Sequence, residues 1–172
     1  MLDGVIHMAS PDNTEANDLT AWLTAILVCF VPEKNLGSVY VSRVAYRIGP
    51  KRGPEPDVGF VPKEHEATRR RGYIDGLPAL AVEIVSPYSV NRDYIQKRAI
   101  YEQAGVREYW IIGPDERRAT FLSLKEGRYQ EVPPEGGVYT SEVIPGFSLD
   151  VRSLWAVPRP RPYEVLRQLL GG

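Results

Sequence analysis

Glu83 stands alone among apolar neighbours, in the run Leu80-Ala-Val-Glu83-Ile-Val85. A carboxylate there must be paired, must hold a metal, or must lie at the end of a strand near water. Asp57 follows Pro56 and opens a second short apolar segment, where the missing proline N–H is no loss. If the two segments are neighbouring strands, two carboxylates converge on one side of a sheet. A hard, oxygen-seeking cation such as Mg²⁺ or Mn²⁺ uses such a pair and fills its other positions with water and substrate phosphate. Lys97 lies on a predicted helix just downstream, where its ammonium can reach the carboxylates, orient or deprotonate a water, and stabilise a pentavalent phosphate. Asp93 stands four residues earlier on the same face. Two bland readings stay open: an Asp93–Lys97 surface pair, and a structural ion pair of Asp57 or Glu83 with Arg43 or Arg47.

Other chemistry is poorly supplied. His7 and His65 are far apart and neither has a second ligand at metal-like spacing. Ser86 and Ser89 follow the Glu83 segment, but no histidine is placed to activate them. The glycines match neither dinucleotide nor Walker spacing. Cys29 is the single cysteine, which excludes an internal disulfide and a cysteine-based zinc site; it falls in a hydrophobic stretch and reads as inert. Tyr109 and Trp110 read as core and rim. The run Arg69-Arg70-Arg71 lies in a long loop, and serves either as a phosphate grip or as a solvated segment.

These residues need elements to position them. Leu19, Leu23, Ile26, Leu27 and Phe30 mark a helix from Asp12 or Asn13 to Val31, stopped by Pro32, with Asp12 and Glu15 as a capping arrangement. Residues 39–48 alternate as one half-buried strand with Arg43 and Arg47 outward. Residues 57–61 and 80–85 are strands, with a loop over 62–78. A helix spans Asn91–Ala104, with Gly105 as its left-handed cap. Strands follow at 106–112, 119–124, 129–132 and 147–151, the second and third as a hairpin. A Pro/Arg-rich tail, 152–172, carries a short helix at Tyr163–Leu170. The order predicts one α/β domain over residues 1–172, its core at about 12–151: a mixed central sheet flanked by helices, with extra C-terminal strands.

The chain has 172 residues, and its 21 Lys+Arg nearly balance 22 Asp+Glu, so bulk charge singles out no nucleic-acid or membrane partner. The charge is segregated, however. Residues 34–54 hold five basic residues and no acid, and 129–150 hold four acids and no lysine or arginine. That allows a basic face on a neutral protein. The longest apolar run, Ala21–Val31, is too short to span a bilayer, and the N-terminus lacks a basic signal region. A cytoplasmic protein is expected.

Pro56-Asp57-Val58, Leu80-Ala-Val-Glu83-Ile-Val-Ser86-Pro87, Asp93-Tyr-Ile-Gln-Lys97-Arg-Ala-Ile-Tyr101 and Ala104-Gly-Val-Arg-Glu-Tyr-Trp110-Ile-Ile stand in an order that resembles the PD-(D/E)XK nucleases, and more closely the Uma-type restriction-endonuclease group. The resemblance spans about Asp3 to Asp150. It implies a restriction-endonuclease-like αβββαβ core and a Mg²⁺- or Mn²⁺-dependent endonuclease acting on DNA. Asp57 and Glu83 would be the metal-binding acids, with Arg43, Arg47, Arg69, Arg70 and Arg71 gripping phosphates. In the plain motif the lysine comes two residues after the glutamate, where Val85 stands. The resemblance implies that Lys97 replaces it from the helix. Where many members carry a histidine near the start of the first helix, this chain has Glu15 and Asn17, so Glu15 is either a further carboxylate or a cap. Enzymes of this fold often pair to cut both strands, so a homodimer is expected. The alternatives are a catalytically inactive module of the same fold that binds nucleic acid or protein, and a glycosidase using Asp57 and Glu83 as acid and base, which would need an aromatic-lined cleft.

Overall fold

The computed structural model describes residues 13–42, 44–49 and 52–171. Helix α1 spans Thr14–Glu33. The strands β1 (Gly37–Val41), β2 (Ala45–Tyr46), β3 (Val58–Pro62), β4 (Arg69–Arg70), β5 (Tyr73–Ile74) and β6 (Leu80–Ile84) follow. A π-helical turn, Arg92–Lys97, runs directly into α2 (Arg98–Ala104). Then come β7 (Glu108–Gly113), β8 (Arg118–Lys125), β9 (Arg128–Glu131), β10 (Val138–Thr140), β11 (Ser148–Asp150) and α3 (Pro162–Leu169).

Six strands form the central sheet in the order β1-β3-β6-β7-β8-β9. It is mixed: β6 and β7 are parallel and every other neighbouring pair is antiparallel. The parallel pair requires a crossover, and the segment carrying α2 supplies it. The α/β class and helix-flanked mixed sheet expected from the element order are thus present. At the β8–β9 hairpin, Glu126 and Gly127 both take positive φ, 52° and 78°. Two such residues make the tight turn whose twist suits the flanking strands.

The start of α1 differs in detail from expectation. Asp12 lies outside the described residues, and the cap is Asn13, whose side-chain oxygen accepts from the Ala16 N–H at 2.7 Å. Pro32 sits in the last turn instead of ending the helix. It forfeits only its own N–H bond, and the Lys34 N–H reaches Phe30 O at 3.1 Å. Cys29 is exposed, on the side of α1 away from the sheet's apolar layer.

The strand expected over 39–48 is two strands. β1 pairs with β3, whereas β2 joins a separate three-stranded sheet, β2-β5-β4. The predicted facing survives the break: Tyr40, Val44, Tyr46 and Ile48 gather with Val61 and Ile74. The expected loop over 62–78 holds a 3₁₀ turn, Lys63–Thr68, as well as β4 and β5. β10, which pairs with β11, was not expected; only its central Tyr139 is buried, so three residues carry no readable alternation. Glu108, fully buried in β7, holds this region down. Its carboxylate accepts from Trp110 Nε1 and Tyr139 OH, both at 2.6 Å, from Ser141 Oγ at 2.9 Å, and from the N–H groups of Glu142 and Val143 at 3.1 Å.

Strand alternation divides the core into two layers. Leu80, Val82 and Ile84 of β6, with Val58 and Phe60 of β3, face α1 and the buried Leu19, Leu23, Ile26 and Phe30. Ala81 and Val85 face the other way, onto Tyr101, Tyr109 and Ile111 beneath α2. α3 packs Val165, Leu166 and Leu169 on the α1 layer, and Trp22 Nε1 donates to Pro160 O at 2.7 Å. No described helix is long and apolar enough to cross a membrane.

Candidate active site

Glu83 occupies the strand position between Ala81 and Val85, so its side chain points into the α2 layer. Register brings Asp57 beside it. β3 and β6 pair as Val58↔Val82, Gly59↔Ala81 and Phe60↔Leu80, which sets Asp57 opposite Glu83 one step past the last pair. At that step the ladder ends, and the Ile84 N–H donates instead to Asp57 Oδ2 at 2.7 Å. The side chain of Asp57 thereby closes the strand edge as it reaches the site.

The turn leading into α2 supplies the rest. Asp93, Lys97 and Tyr101 recur every four residues, on the face turned toward β6. Lys97 Nζ lies 2.7 Å from Glu83 Oε2 and 3.7 Å from Asp93 Oδ1, and also donates to Glu55 O at 3.4 Å. Tyr101 OH donates to Glu83 Oε1 at 3.1 Å. Asp93 Oδ1 accepts from Arg92 Nε at 3.1 Å, and Tyr109 OH donates to the Asp93 carbonyl at 2.9 Å. Asp93 Oδ2 is buried without a hydrogen-bond partner among the described residues. Glu83 and Asp93 are each 1% exposed and Lys97 7%, whereas Asp57 is half-buried, so the cluster meets solvent on the Asp57 side. The four-residue step keeps residues 93 and 97 on one helix face over β6, here within a π-helical turn of the kind that recurs at functional positions.

Burial is the largest influence on Glu83. It pushes the carboxyl up, to about 8, against the pull of Lys97, and Asp57 and Asp93 push the same way. For Lys97, burial alone would lower the pKa, but Glu83 and Asp93 overrule it and the ammonium is held more tightly than usual. Lys97 is therefore a fixed positive charge near neutral pH and not a proton acceptor. The Tyr101 hydroxyl is driven well up by burial and by Glu83, so it donates and stays protonated.

Three carboxyl groups stand against Lys97 and Arg92, and a bound cation would favour the ionised form of Glu83, which leaves a local excess of negative charge to hold it. Among the described residues no three acidic, imidazole or thiol groups converge on one point. Asp57 and Glu83 would supply two ligands, leaving water and phosphate oxygens to complete the shell, as Mg²⁺ prefers. The donor set fits such an ion.

The remaining expected residues lie elsewhere. Arg47 makes a two-pronged ion pair with Asp75, at 2.6 and 2.9 Å, and lies 5.1 Å over the Tyr73 ring. It does not pair with Glu83, whose cationic partner is Lys97. Arg69 lies 6.0 Å over Tyr40, and Arg70 donates to Ala67 O and Arg69 O at 2.7 and 3.0 Å. Arg71 is exposed in the adjoining turn. Arg43 lies outside the described residues, as does His7. The small sheet that carries Arg69 and Arg70, and that Arg47 adjoins, packs on Val61, hence on the face of β3 that carries Asp57. An open groove of about 380 Å³ beside it includes Arg47, Arg52, Tyr73 and Glu55 in its lining, the last being the residue whose carbonyl receives Lys97. Glu15 does not join the cluster: it forms an ion pair with Arg159 on the α1 side of the sheet. Ser86 and Ser89 build the turn after β6, where Ser89 Oγ accepts from the Ser86 N–H at 3.0 Å.

Two members of the cluster were not foreseen. Tyr101 continues the four-residue spacing of Asp93 and Lys97, a polar stripe on a buried helix face, and that spacing was a usable signal. Arg92 had none, because only the fold shows that it leans back onto Asp93.

A protein-family profile described as "Uma2: Putative restriction endonuclease" matches residues 1–152, ending before α3. No curated protein matches the chain. Among solved structures, the crystal structure of a "putative nuclease belonging to DUF820" from Anabaena variabilis ATCC 29413 is similar, with a TM-score of 0.72 and 14% sequence identity over 90% of this chain and 87% of that one. At that identity the likeness establishes the fold.

Proposed function

The chain belongs to the Uma2 family of restriction-endonuclease relatives, and from that premise we propose that it is a Mg²⁺- or Mn²⁺-dependent endonuclease hydrolysing DNA phosphodiester bonds. The observation that supports this best is Lys97 Nζ at 2.7 Å from Glu83, with Asp57 set across the strand pair from it. Asp57 and Glu83 would hold the cation, which, when bound, supplies a polarised phosphate oxygen and a more acidic water. Lys97 keeps its proton, so its part is to hold positive charge beside the attacked phosphate as negative charge builds there. Tyr101 fixes the second oxygen of Glu83 and keeps the carboxylate turned toward the lysine. Arg43, Arg47 and Arg69–Arg71 would position the strand through its phosphates, and such contacts read no base sequence. Two copies acting on opposite strands would make a double-strand cut.

A second reading has one observation in its favour. Both oxygens of Glu83 already have protein partners, Lys97 and Tyr101, so the cluster could serve as a closed structural knot in a module that binds DNA without cutting it. An aromatic-lined sugar cleft is not what surrounds this cluster, since Tyr101 and Tyr109 are fully buried. Supercoiled plasmid and single-stranded DNA, incubated with Mg²⁺ or Mn²⁺ and with EDTA, separate the readings. Metal-dependent nicking by the wild type that disappears in Glu83→Ala supports the endonuclease. Salt-sensitive DNA binding without cleavage supports the silent module. Cleavage that survives Glu83→Ala refutes the assigned site.

A further inference from the structure

We propose that Arg92 is a phosphate-contacting residue of this site, held in position by Asp93. The inference rests on the endonuclease reading and deepens it, adding a residue that neither the spacing of the sequence nor the plain nuclease motif singles out.

Arg92 opens the π-helical turn, two residues into the helical segment that begins at Val90 after the turn following β6. Its Nε donates to Asp93 Oδ1 at 3.1 Å, and Asp93 is almost wholly buried, whereas 29% of the Arg92 side chain stays exposed. A buried acid thus anchors an arginine that reaches out to water. Among the described residues the guanidinium makes no other hydrogen bond, so the N–H groups of its two terminal nitrogens have no protein partner there. That leaves the fork with which arginine grips a phosphate through two parallel bonds. Burial pulls against its charge, and Asp93, Glu83 and Asp57 hold the charge in place. Arg92 therefore lies within the field of all three site carboxylates and at their solvent margin, where a phosphodiester arriving beside Asp57 would meet it.

The other cation of the cluster cannot take this part. Lys97 is 7% exposed and engaged with Glu83, Asp93 and the Glu55 carbonyl. A phosphodiester adds a negative charge to a site already rich in carboxyl groups, so a second cation at the entrance offsets a repulsion that Lys97 alone leaves. Asp93 then acts as a positioning residue. Its Oδ1 stands between Arg92 Nε and Lys97 Nζ, fixing both cations while remaining out of solvent itself.

The test uses full-length protein and two readouts. In the Glu83→Gln background, binding of a short DNA duplex in Ca²⁺ is followed across a range of KCl. Adding Arg92→Ala should flatten the salt dependence by about one contact, a change of about 0.9 in the log–log slope, whereas Arg92→Lys should keep the slope. With Glu83 intact, Arg92→Ala should lower the cleavage rate about 100-fold or more. Arg92→Lys should lower it about tenfold, because an ammonium keeps the charge and loses the fork. Asp93→Asn should lower the rate and also weaken the slope, which a purely structural role would not do. If Arg92→Ala fails to fold, the same slope is read from Arg92→Gln. An unchanged slope in Arg92→Ala, or cleavage within twofold of wild type, overturns the proposal while leaving the endonuclease reading intact. If the wild type does not cleave, that reading falls, and the salt slope still decides whether Arg92 contacts a phosphate. Absence of DNA binding at every salt concentration overturns both.

Discussion

Lys97→Met should tighten divalent-cation binding and abolish rapid cleavage together. The substitution keeps the length and apolar stem of the side chain and removes one positive charge, 2.7 Å from Glu83 Oε2 and 3.7 Å from Asp93 Oδ1. Without a cation, two buried carboxyl groups lose their partner. Breaking a buried pair from one side costs about 3–5 kcal/mol, and proton uptake by Glu83, already primed by its burial, offsets part of it, so a loss of about 3 kcal/mol is expected. With a divalent ion bound, the sign reverses. Unit charges 4 Å apart interact by about 4 kcal/mol at an effective dielectric near 20, and a divalent ion at such a spacing from Lys97 would double the repulsion to about 8 kcal/mol. Reorganisation and water absorb most of it, which leaves about 1.4–2.8 kcal/mol, or ten- to a hundredfold tighter binding. Calorimetric titration with Mn²⁺, thermal unfolding with and without Mn²⁺, and plasmid nicking measure all three quantities. The variant should be less stable than wild type in EDTA, gain more from Mn²⁺, and cleave at least 100-fold more slowly. Unchanged or weaker Mn²⁺ affinity would show that the ammonium does not border the cation site. Cleavage at the wild-type rate would remove Lys97 from the chemistry.

Glu83 predicts a pH effect that needs no substrate. Its folded-state pKa is raised, so between about 4.5 and about 8 the folded protein holds a proton that the unfolded chain has released, and stability falls as pH rises through that window. The melting temperature of wild type minus that of Glu83→Gln, measured in EDTA, should decline from pH 5 to pH 8.5; a constant difference refutes the assignment. Glu108→Gln tests the second buried carboxylate. Both oxygens of Glu108 receive donors, and whichever way the amide turns, its NH₂ faces at least one obligate N–H, from Trp110 or from the Glu142 and Val143 backbone. An unsatisfied buried donor and the loss of charge-assisted bonds should cost about 3 kcal/mol, read by urea unfolding; a loss below about 1 kcal/mol would refute the accounting.

The parts of this structure that could be read from the sequence are those where one residue contradicts its surroundings. Glu83 stood out because a charge in an apolar run demands a reason, and Gly105 because a glycine ending a helical pattern marks a left-handed cap, here with φ of 91°. Proximity along the helix linked Asp93 with Lys97. What escaped reading depends on partners far away in sequence. Asp75 captures Arg47 from 28 residues downstream, and Arg159 captures Glu15 from 144. The break between β1 and β2 leaves no trace in the alternation, since the same side chains face inward whether the strand is continuous or split. The two carboxylates come together through register alone: a shift of one residue between β3 and β6 would turn Asp57 to the α1 face and dissolve the site.

The place of the lysine follows from the same geometry. Two residues after Glu83, on the same face of β6, stands Val85, which is 1% exposed and packed with Tyr101 and Tyr109 in the apolar layer under α2. A lysine there would put its stem through that layer, and its ammonium would need an acid that the tyrosines do not provide. The helical segment above β6 has no such conflict. Lys97 descends from it onto Glu83 Oε2, with its stem among side chains already buried and its ammonium close to Glu83, to Asp93 and to the Glu55 carbonyl. The substitution of strand by helix costs little because lysine places its charge at the end of a flexible four-carbon stem. It has a structural consequence: the charge that sits beside the carboxylates is now coupled to the winding of Arg92–Lys97. A change that converts this π-helical turn to regular α-helix would turn Lys97 through a different angle relative to Asp93 and so alter the set of contacts its ammonium makes, even with every site residue retained.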